Sequence, residues 1–460
     1  MATTATPPHA RASASTRSIG YAFAVLGTVQ ATLIFTLVAI AVPLPRIGRE
    51  FGLGRADLIL LSAAYGLVFA GLLLFGGRLA DRYGGRHTLT AGLILFAAAS
   101  AAAPLAPGLD ALLAARFAQG AGAALIAPAA MAILRALFPA PIAYGRSMAT
   151  WGGLSVIGAT AGNLLSGVIS ALLSWRWTFA VPLVVAATAL VLAPRLFPAT
   201  PPSAGRALDL AGALLATTGI TLFSYALVLT DARPWGSAAV LIPLCAGVAL
   251  LAAFFLTERR ARDPLLPPRF LLDRRRALAL AAIALTAAGS AMTFVLLSLH
   301  LQQARGWSEL QTSAAFVPFA VVLLTSSRTA RPLIGRYGAP AVTAAGLITA
   351  ATGLALLALG GLDAHTPYTF GLLPGLLLLP AGAAASFAGA TVIATEGIPH
   401  RQTGLAGGVM NTAMEFGPTV LFAAVLTLGG DAASLAATGA ALAITALAVT
   451  ALAVLNQPTT

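Results

Sequence analysis

The sequence predicts an all-α polytopic membrane protein with fourteen transmembrane helices, and three observations support this prediction. First, 58% of the 460 residues are hydrophobic and 9% are charged, whereas soluble globular proteins are about 45–50% apolar and about 25% charged. Second, apolar stretches of about 20 residues, the length that crosses a bilayer as a helix, recur along the whole chain. Third, arginines are concentrated in alternate loops between these stretches.

The predicted spans follow one another with mostly short loops between them. Pro182 and Pro318 interrupt the sixth and the tenth span. An even number of spans places both termini on the same side of the membrane. The fourteen predicted segments are 19–43, 58–77, 88–106, 111–134, 147–173, 177–194, 210–230, 237–257, 277–301, 310–327, 339–360, 368–395, 404–428 and 432–455.

The arginines predict which side that is. The chain has no lysine, and its formal net charge is +13. If the N-terminus is cytoplasmic, most of the 27 basic residues fall in cytoplasmic segments, as the positive-inside rule requires. We therefore expect a multi-pass protein of the plasma membrane with both termini in the cytoplasm. Because the lipid bilayer explains the basic loops, no nucleic-acid partner is expected.

Two loops share a basic, glycine-rich pattern. "GGRLADRYGGRHTL" follows the second span, and "RPLIGRYGAP" follows the tenth, with matching positions 254 residues apart. The pattern predicts a duplicated parallel six-helix unit, spans 1–6 and 9–14, with two inserted spans between them; the alternative is that short loops collect glycine and arginine independently. The predicted domains are a disordered cytoplasmic tail (1–18), an N-terminal six-helix bundle (19–196), linkers with two inserted transmembrane helices (197–276) and a C-terminal six-helix bundle (277–456).

The first of these loops resembles the signature of the major facilitator superfamily. The resemblance implies the major facilitator fold and a loop that locks the two halves together on the cytoplasmic side while the outside is open. Glycines in this loop would permit a tight turn, and Asp81 could cap the next helix. The alternative is a loop that only sets membrane orientation. The predicted gating residues are Gly77, Asp81, Arg82, Gly84 and Arg86.

Other stretches narrow the resemblance to the fourteen-span drug:proton antiporter family. "LLAARFAQGAGAALIAPAA", at 112–130, is similar to the family's fourth span, and "SWRWTFAVPL", at 174–183, is similar to its fifth-to-sixth loop. The sequences that follow the eighth and ninth spans are also similar. The family implies proton-coupled efflux of lipophilic drugs or secondary metabolites.

The fifth and first spans depart from the family pattern. In "GLSVIGATAGNLLSGV" the glycines match a helix-packing motif, but Asn163 stands where proline is usual. Ile34 and Ala39 occupy the positions where the first span usually carries aspartate and asparagine, so the usual intramembrane acid is absent. The predicted helix-packing residues are Gly158, Gly162, Asn163 and Gly167.

Charged residues inside predicted spans are functional candidates because charge is costly in a bilayer. Glu415 is a candidate proton or cation site; the alternatives are a structural pair with another polar residue or a position facing water. The family resemblance implies that Arg116 takes part in proton transfer or conformational coupling; the alternative is a structural tie. By position, the substrate-cavity candidates are Tyr65, Gln119, Asn163, Phe316 and Asn411.

These observations predict a secondary active transporter that works by alternating access with protons and a small-molecule substrate. A phosphate-binding loop of the G-x-x-x-x-G-K-[ST] type needs lysine, which the chain lacks. The chain has a single cysteine and no cluster of catalytic side chains, so we expect no metal, no cofactor and no enzymatic activity. A monomer is expected. The alternatives are an importer or facilitator of a specific small molecule and a non-transporting membrane sensor or scaffold.

Overall fold

The computed structural model describes residues 8–198, 210–230, 233–260, 273–362, 365–396, 409–410, 412–414, 417–418, 424 and 431–455. All regular elements within these residues are helical. The α-helices are α1 (Pro8–Val38), α2 (Leu44–Phe51), α3 (Arg55–Tyr83), α4 (Gly85–Ala102), α5 (Leu109–Leu137), α6 (Pro141–Leu172), α7 (Ala180–Leu196), α8 (Leu210–Leu229), α9 (Ala238–Arg260), α10 (Arg274–Leu299), α11 (Glu309–Ala315), α12 (Val317–Tyr337), α13 (Ala339–Leu356), α14 (Tyr368–Gly371), α15 (Leu373–Thr395) and α16 (Asp431–Leu455).

The helices agree closely with the predicted spans. Eleven stretches of the described residues are long and apolar enough to cross a membrane, judged by length and composition, and two shorter apolar stretches are Ile157–Leu172 and Leu214–Leu227. Each of the other thirteen predicted segments overlaps one of these helices; most of segment 404–428 lies outside the described residues. The structure therefore has the expected all-helical membrane architecture, with eleven candidate spans in its described part.

Two details differ from the sequence prediction. Residues 8–18, predicted to be disordered, are helical and extend α1, because alanine and arginine favour helix and Pro8 is compatible with a first helical turn. The tenth predicted span is two helices, α11 and α12, which meet at Phe316. Pro318 has no backbone N–H to donate to the preceding turn, so a new helix begins there.

The helices pack as two bundles. In the first bundle, α1 packs against α6 and α7, while α5 lies against α3 and α4. In the second bundle, α15 packs against α10, α12 and α13, and α16 packs against α10 and α13. The pair α8 and α9 packs mainly on itself and contacts the first bundle through α3.

Equivalent glycines bring equivalent helices together in the two bundles. A Cβ added to Gly92 on α4 would lie 2.9 Å from the carbonyl oxygen of Gly122 on α5. A Cβ added to Gly346 on α13 would lie 2.7 Å from the carbonyl oxygen of Gly382 on α15. Gly92 and Gly346 are 254 residues apart, the same offset as the two glycine-rich loops. Small residues permit such close approach between membrane helices.

A second pair of glycines repeats the correspondence. A Cβ on Gly158 of α6 would overlap the backbone carbonyl of Ala31 on α1, and a Cβ on Gly417 would overlap that of Ala284 on α10. The same contact thus joins the first and fifth spans of one bundle and the corresponding segments of the other. The repeated contacts support the duplicated six-helix unit.

We predict that Gly158→Ala lowers the stability of the protein by about 1–3 kcal/mol, as overpacking of a tight contact does. The obstructing group is backbone, which cannot rotate away. Thermal unfolding of the purified protein measures the loss. Gly20→Ala is the matched control, because nothing lies within 4 Å of a Cβ there. Equal melting temperatures for the two variants would contradict the proposed packing.

Candidate functional site

The two glycine-rich loops have the same structure. Gly84 joins α3 to α4 with φ 87° and ψ 144°, and Gly338 joins α12 to α13 with φ 82° and ψ 156°. This region of backbone conformation is essentially restricted to glycine. The end of the molecule that carries both loops is called here the hinge face.

A cation–π contact is also repeated in the two loops. The guanidinium of Arg82 lies 5.8 Å from the ring centroid of Tyr83, and that of Arg336 lies 5.3 Å from the ring centroid of Tyr337. Sequence, backbone and side-chain arrangement thus agree between loops that occupy the same place in their bundles.

The predicted gating residues lie together at the hinge face. Gly77 and Asp81 lie in the last two turns of α3, followed by the exposed Arg82. Arg86 is half-buried in the first turn of α4. The residue that precedes α4 as its N-cap is Gly84, so the structure does not place Asp81 in the capping position.

We predict that Gly84→Ala and Gly338→Ala each destabilise the hinge face by at least about 1–2 kcal/mol, because a side chain is strained at positive φ. Gly335→Ala is the control: it lies in the same repeat, has no positive φ, and has open space around its Cβ position. Thermal unfolding and transport should both distinguish the two loop glycines from the control. If Gly338→Ala has the same melting temperature and transport rate as Gly335→Ala, the backbone of the second loop is not constrained like that of the first.

The opposite end of the molecule, called here the closed face, is built around the short helix α2. Trp175 donates its indole N–H to Oε2 of Glu50 over 2.7 Å, and Nη1 of Arg176 lies 2.7 Å from Oε1 of the same carboxylate. The hydrogen bond from Trp175 is the main cause that holds the pKa of Glu50 below its usual value, with Arg176 adding to it. Nε of Arg176 also donates to the carbonyl of Pro104. Through Trp175 and Arg176, the motif "SWRWTF" therefore links the segment before α7 to α2 and to the segment between α4 and α5.

Polar contacts join the two bundles across the closed face. Arg46 on α2 forms an ion pair with Glu309 on α11 at 3.7 Å, and its Nη1 also donates to the carbonyl of Ser170. The side chain of Glu309 is only 10% exposed. Further contacts between the bundles are the ion pair of Arg55 with Asp431 and the hydrogen bond from Gln302 to the carbonyl of Val42.

Helix α6 also packs directly against the second bundle. The hydroxyl of Ser313 on α11 donates to the carbonyl of Asn163 over 2.6 Å. A Cβ on Gly167 would overlap the side chain of Ser313 and lie 3.0 Å from the carbonyl oxygen of Glu309. Gly158 and Gly162, which also belong to α6, lie against α1. The predicted helix-packing residues thus bring α6 against both bundles, and the Asn163 amide has no hydrogen-bond partner among the described residues.

A cleft lies between the bundles. It contains about 470 Å³ of space free of protein atoms, part of it open to the surroundings. Its lining is Leu37, Val38, Ala41, Ser62, Ala63 and Gly66 from the first bundle and Ala291, Phe294, Val295 and Pro418 from the second. The side chains that line it are apolar apart from Ser62. Such a lining suits an apolar ligand better than a strongly polar one.

The predicted cavity residues are distributed differently. Tyr65 and Gln119 are buried inside the first bundle, where Tyr65 donates to the carbonyl of Leu33 and Gln119 donates to Ser100. Phe316 is buried. Its ring centroid lies 4.9 Å from that of Phe294, which lines the cleft. Asn411 and the predicted proton site Glu415 lie outside the described residues.

Arg116 is buried within the first bundle, with 1% of its surface exposed. Its Nη1 donates to the carbonyl of Thr36 at 2.9 Å and lies 3.4 Å from Oε1 of Gln119. Its guanidinium carbon lies 5.0 Å from the ring centroid of Tyr65. The structure thus brings together three of the residues singled out in the sequence, Arg116, Gln119 and Tyr65, in one buried cluster.

The sequence did not single out Arg46 or Glu309. Both lie in short charged stretches, "PRIGREF" and "WSELQ", next to apolar spans. Loop charges of this kind are usually solvated. Only the folding of the two bundles brings these two residues together.

We predict that Arg46→Gln opens the closed face more often. In a Cys245→Ser, Ser313→Cys background, the buried Cys at position 313 should react with a maleimide about two- to fivefold faster, the factor expected when one weak ion pair is lost. The purified protein supplies the measurement. Arg233→Gln, an exposed arginine in the loop before α9, is the control. Equal rates for the two variants would exclude Arg46 from the closure.

Comparisons with known proteins agree with this architecture. Residues 24–422 match the family model described as Major Facilitator Superfamily. The chain is 34% identical over 413 residues to the cephamycin export protein of Amycolatopsis lactamdurans, covering 88% of this chain and 84% of that protein. It is 34% identical over 426 residues to a puromycin resistance protein of Streptomyces alboniger, covering 92% and 84%. It is 30% identical over 382 residues to the multidrug resistance protein Stp of Mycobacterium tuberculosis, covering 83% and 70%.

Solved structures of low sequence identity show the same fold. A peptide transporter, POT, in complex with sulfate superposes with a TM-score of 0.70 at 16% identity and covers 94% of each chain. The human organic anion transporter MFSD10 superposes with a TM-score of 0.63 at 19% identity, covering 96% of this chain and 100% of that one.

Proposed function

The chain belongs to the major facilitator superfamily, and from this premise we propose that it is a secondary active transporter that exports drugs or secondary metabolites. The observation that carries the proposal is the similarity, over more than 80% of the chain, to a cephamycin exporter and to puromycin and multidrug resistance proteins. The apolar cleft between the bundles supports a lipophilic substrate.

We further propose a fourteen-helix arrangement in which the two bundles are the halves of the transporter and α8 and α9 are the inserted pair. The arginine distribution supports a cytoplasmic hinge face and cytoplasmic termini in the plasma membrane. The closed face is then external, and the structure corresponds to the inward-facing state. Substrate would reach the cleft from the cytoplasm and leave after the closed face opens.

The proton is the proposed coupling ion. Glu415 and Arg116 remain the candidates from the sequence, and the structure adds Glu309 for its position. The ion pair between Glu309 and Arg46 joins the two bundles at the closed face. A proton on Glu309 would remove one charge of that pair and favour opening to the outside, so proton uptake and the change of state would be linked. The proposed unit is a monomer that needs no cofactor.

Transport in everted membrane vesicles tests this function. An imposed pH gradient should drive accumulation of a lipophilic cationic dye, and puromycin should compete with it. We predict that Asp81→Asn lowers the rate while membrane insertion is retained, because the hinge loses a charge needed to close the cytoplasmic side. Dye accumulation that does not depend on the pH gradient would exclude proton coupling. A normal transport rate of Asp81→Asn would exclude the gating role of Asp81.

The same assay examines the coupling candidates. We predict that Glu415→Gln or Glu309→Gln reduces gradient-driven accumulation, because the variant side chain cannot take up a proton. Glu396→Gln is the matched control, since this acid follows the last residue of α15 and is exposed. A candidate whose variant behaves like the control is not a coupling residue.

A further inference from the structure

A second, smaller cavity lies within the first bundle, apart from the cleft. Arg116 lines it together with Phe35, Thr36, Ala39 and Ile40 around the end of α1, with Thr178 and Phe179 in the turn before α7, and with Pro182 at the start of α7. The cavity contains about 210 Å³ of space free of protein atoms, part of it open to the surroundings of the bundle. It has room for a single ion or a small polar group, and most of its walls are apolar.

The guanidinium of Arg116 has hydrogen-bond partners for only one of its three nitrogens among the described residues. A guanidinium has five N–H donors, and the bonds to Thr36 and Gln119 both come from Nη1. Nε and Nη2 are buried without a hydrogen-bond partner among the described residues. No carboxylate in the described part of the chain forms an ion pair with this side chain.

The unpartnered donors have a specific geometry. Nε–H and one N–H of Nη2 point in the same direction along one edge of the planar group, and this edge holds an anion by two parallel hydrogen bonds. The hydroxyl of Thr178, which lines the same cavity, is also buried without a partner among the described residues. Arg116 on α5 and Thr178 in the turn before α7 therefore both line the cavity, and each has a buried donor group without a partner among the described residues.

The positive charge of Arg116 favours an anion over a water molecule in this cavity. A water molecule would satisfy some of the donors, but the positive charge of a buried arginine in a membrane span would stay uncompensated, and such a charge is costly. We propose that this cavity is a binding site for one small monovalent anion, held by Nε and Nη2 of Arg116 and by the hydroxyl of Thr178. Chloride and the carboxylate of a small organic acid share the required chemistry.

A bound anion would act as a structural tie. Arg116 lies two turns from the start of α5, and Thr178 belongs to the turn Trp175–Phe179, which also holds Glu50 through Trp175. The anion would connect α1, α5 and this turn at the closed face. The inference does not depend on the proposed transport function.

Thermal unfolding of the full-length protein in lipid nanodiscs tests the site. Sodium gluconate, whose anion is too large for the cavity, is replaced stepwise by sodium chloride or sodium formate at constant ionic strength. Because a ligand that binds only the folded state stabilises it by mass action, the melting temperature of the wild type should rise by several degrees. The rise should shrink in Thr178→Val and persist in the control Thr188→Val, whose hydroxyl bonds to its own helix.

A second variant separates loss of anion binding from misfolding of Thr178→Val. Ala39 lines the cavity, so Ala39→Asp supplies an internal carboxylate to Arg116. This variant should melt higher than the wild type in gluconate and should no longer respond to added anion. A response of the wild type to both anions identifies a general anion site, and a response to formate alone identifies a carboxylate site. Equal melting temperatures of the wild type in all three salts, or a response undiminished in both Thr178→Val and Ala39→Asp, would overturn the proposal.

Discussion

The close approach of α6 to both bundles is the constraint on which the rest of the structure depends. In a bilayer the backbone is satisfied within each helix, so helices associate through packing rather than through exposed backbone groups. Gly158 and Gly162 place α6 against α1, and Gly167 places it against α11. The hydrogen bond from Ser313 to the carbonyl of Asn163 forms at this contact. A side chain at Gly158 or Gly162 would separate α6 from α1, and a side chain at Gly167 would separate α6 from α11, whose contact closes one end of the molecule.

The two bundles repeat the same loop geometry. Gly84 and Gly338 have the same unusual backbone, and each is preceded by an arginine and tyrosine in cation–π contact. Each bundle is packed tightly within itself, and at the closed face the two meet through the packing of α6 against α11, through two ion pairs and through hydrogen bonds. The ion pairs are individually weak. Separately packed bundles are compatible with the movement of each bundle as a unit, which the proposed alternating access requires.

The sequence was sufficient to predict the helices because a membrane span has a clear signal in length and apolarity. It also located the two glycine-rich loops, since Gly84 and Gly338 leave a recognisable pattern. The sequence was less informative about which face of each helix lines the cleft and which face packs inside a bundle. Tyr65 and Gln119 were chosen as cavity residues, but they hold Arg116 in a buried cluster, and the cleft lining is mostly alanine, leucine and valine, which no motif marks. Arg46 and Glu309 are far apart in the chain, and their pairing depends on the docking of the bundles.

The most direct test of alternating access is a pair of distances measured by pulsed electron paramagnetic resonance in a Cys245→Ser background. Spin labels at positions 111 and 432 report on the closed face, and labels at positions 136 and 341 report on the hinge face; all four side chains are exposed. Alternating access predicts that, as acidification or substrate shifts the protein between states, the first distance lengthens while the second shortens. Distances that change in the same direction, or that both stay fixed while the labelled protein transports, would contradict alternating access about the closed face.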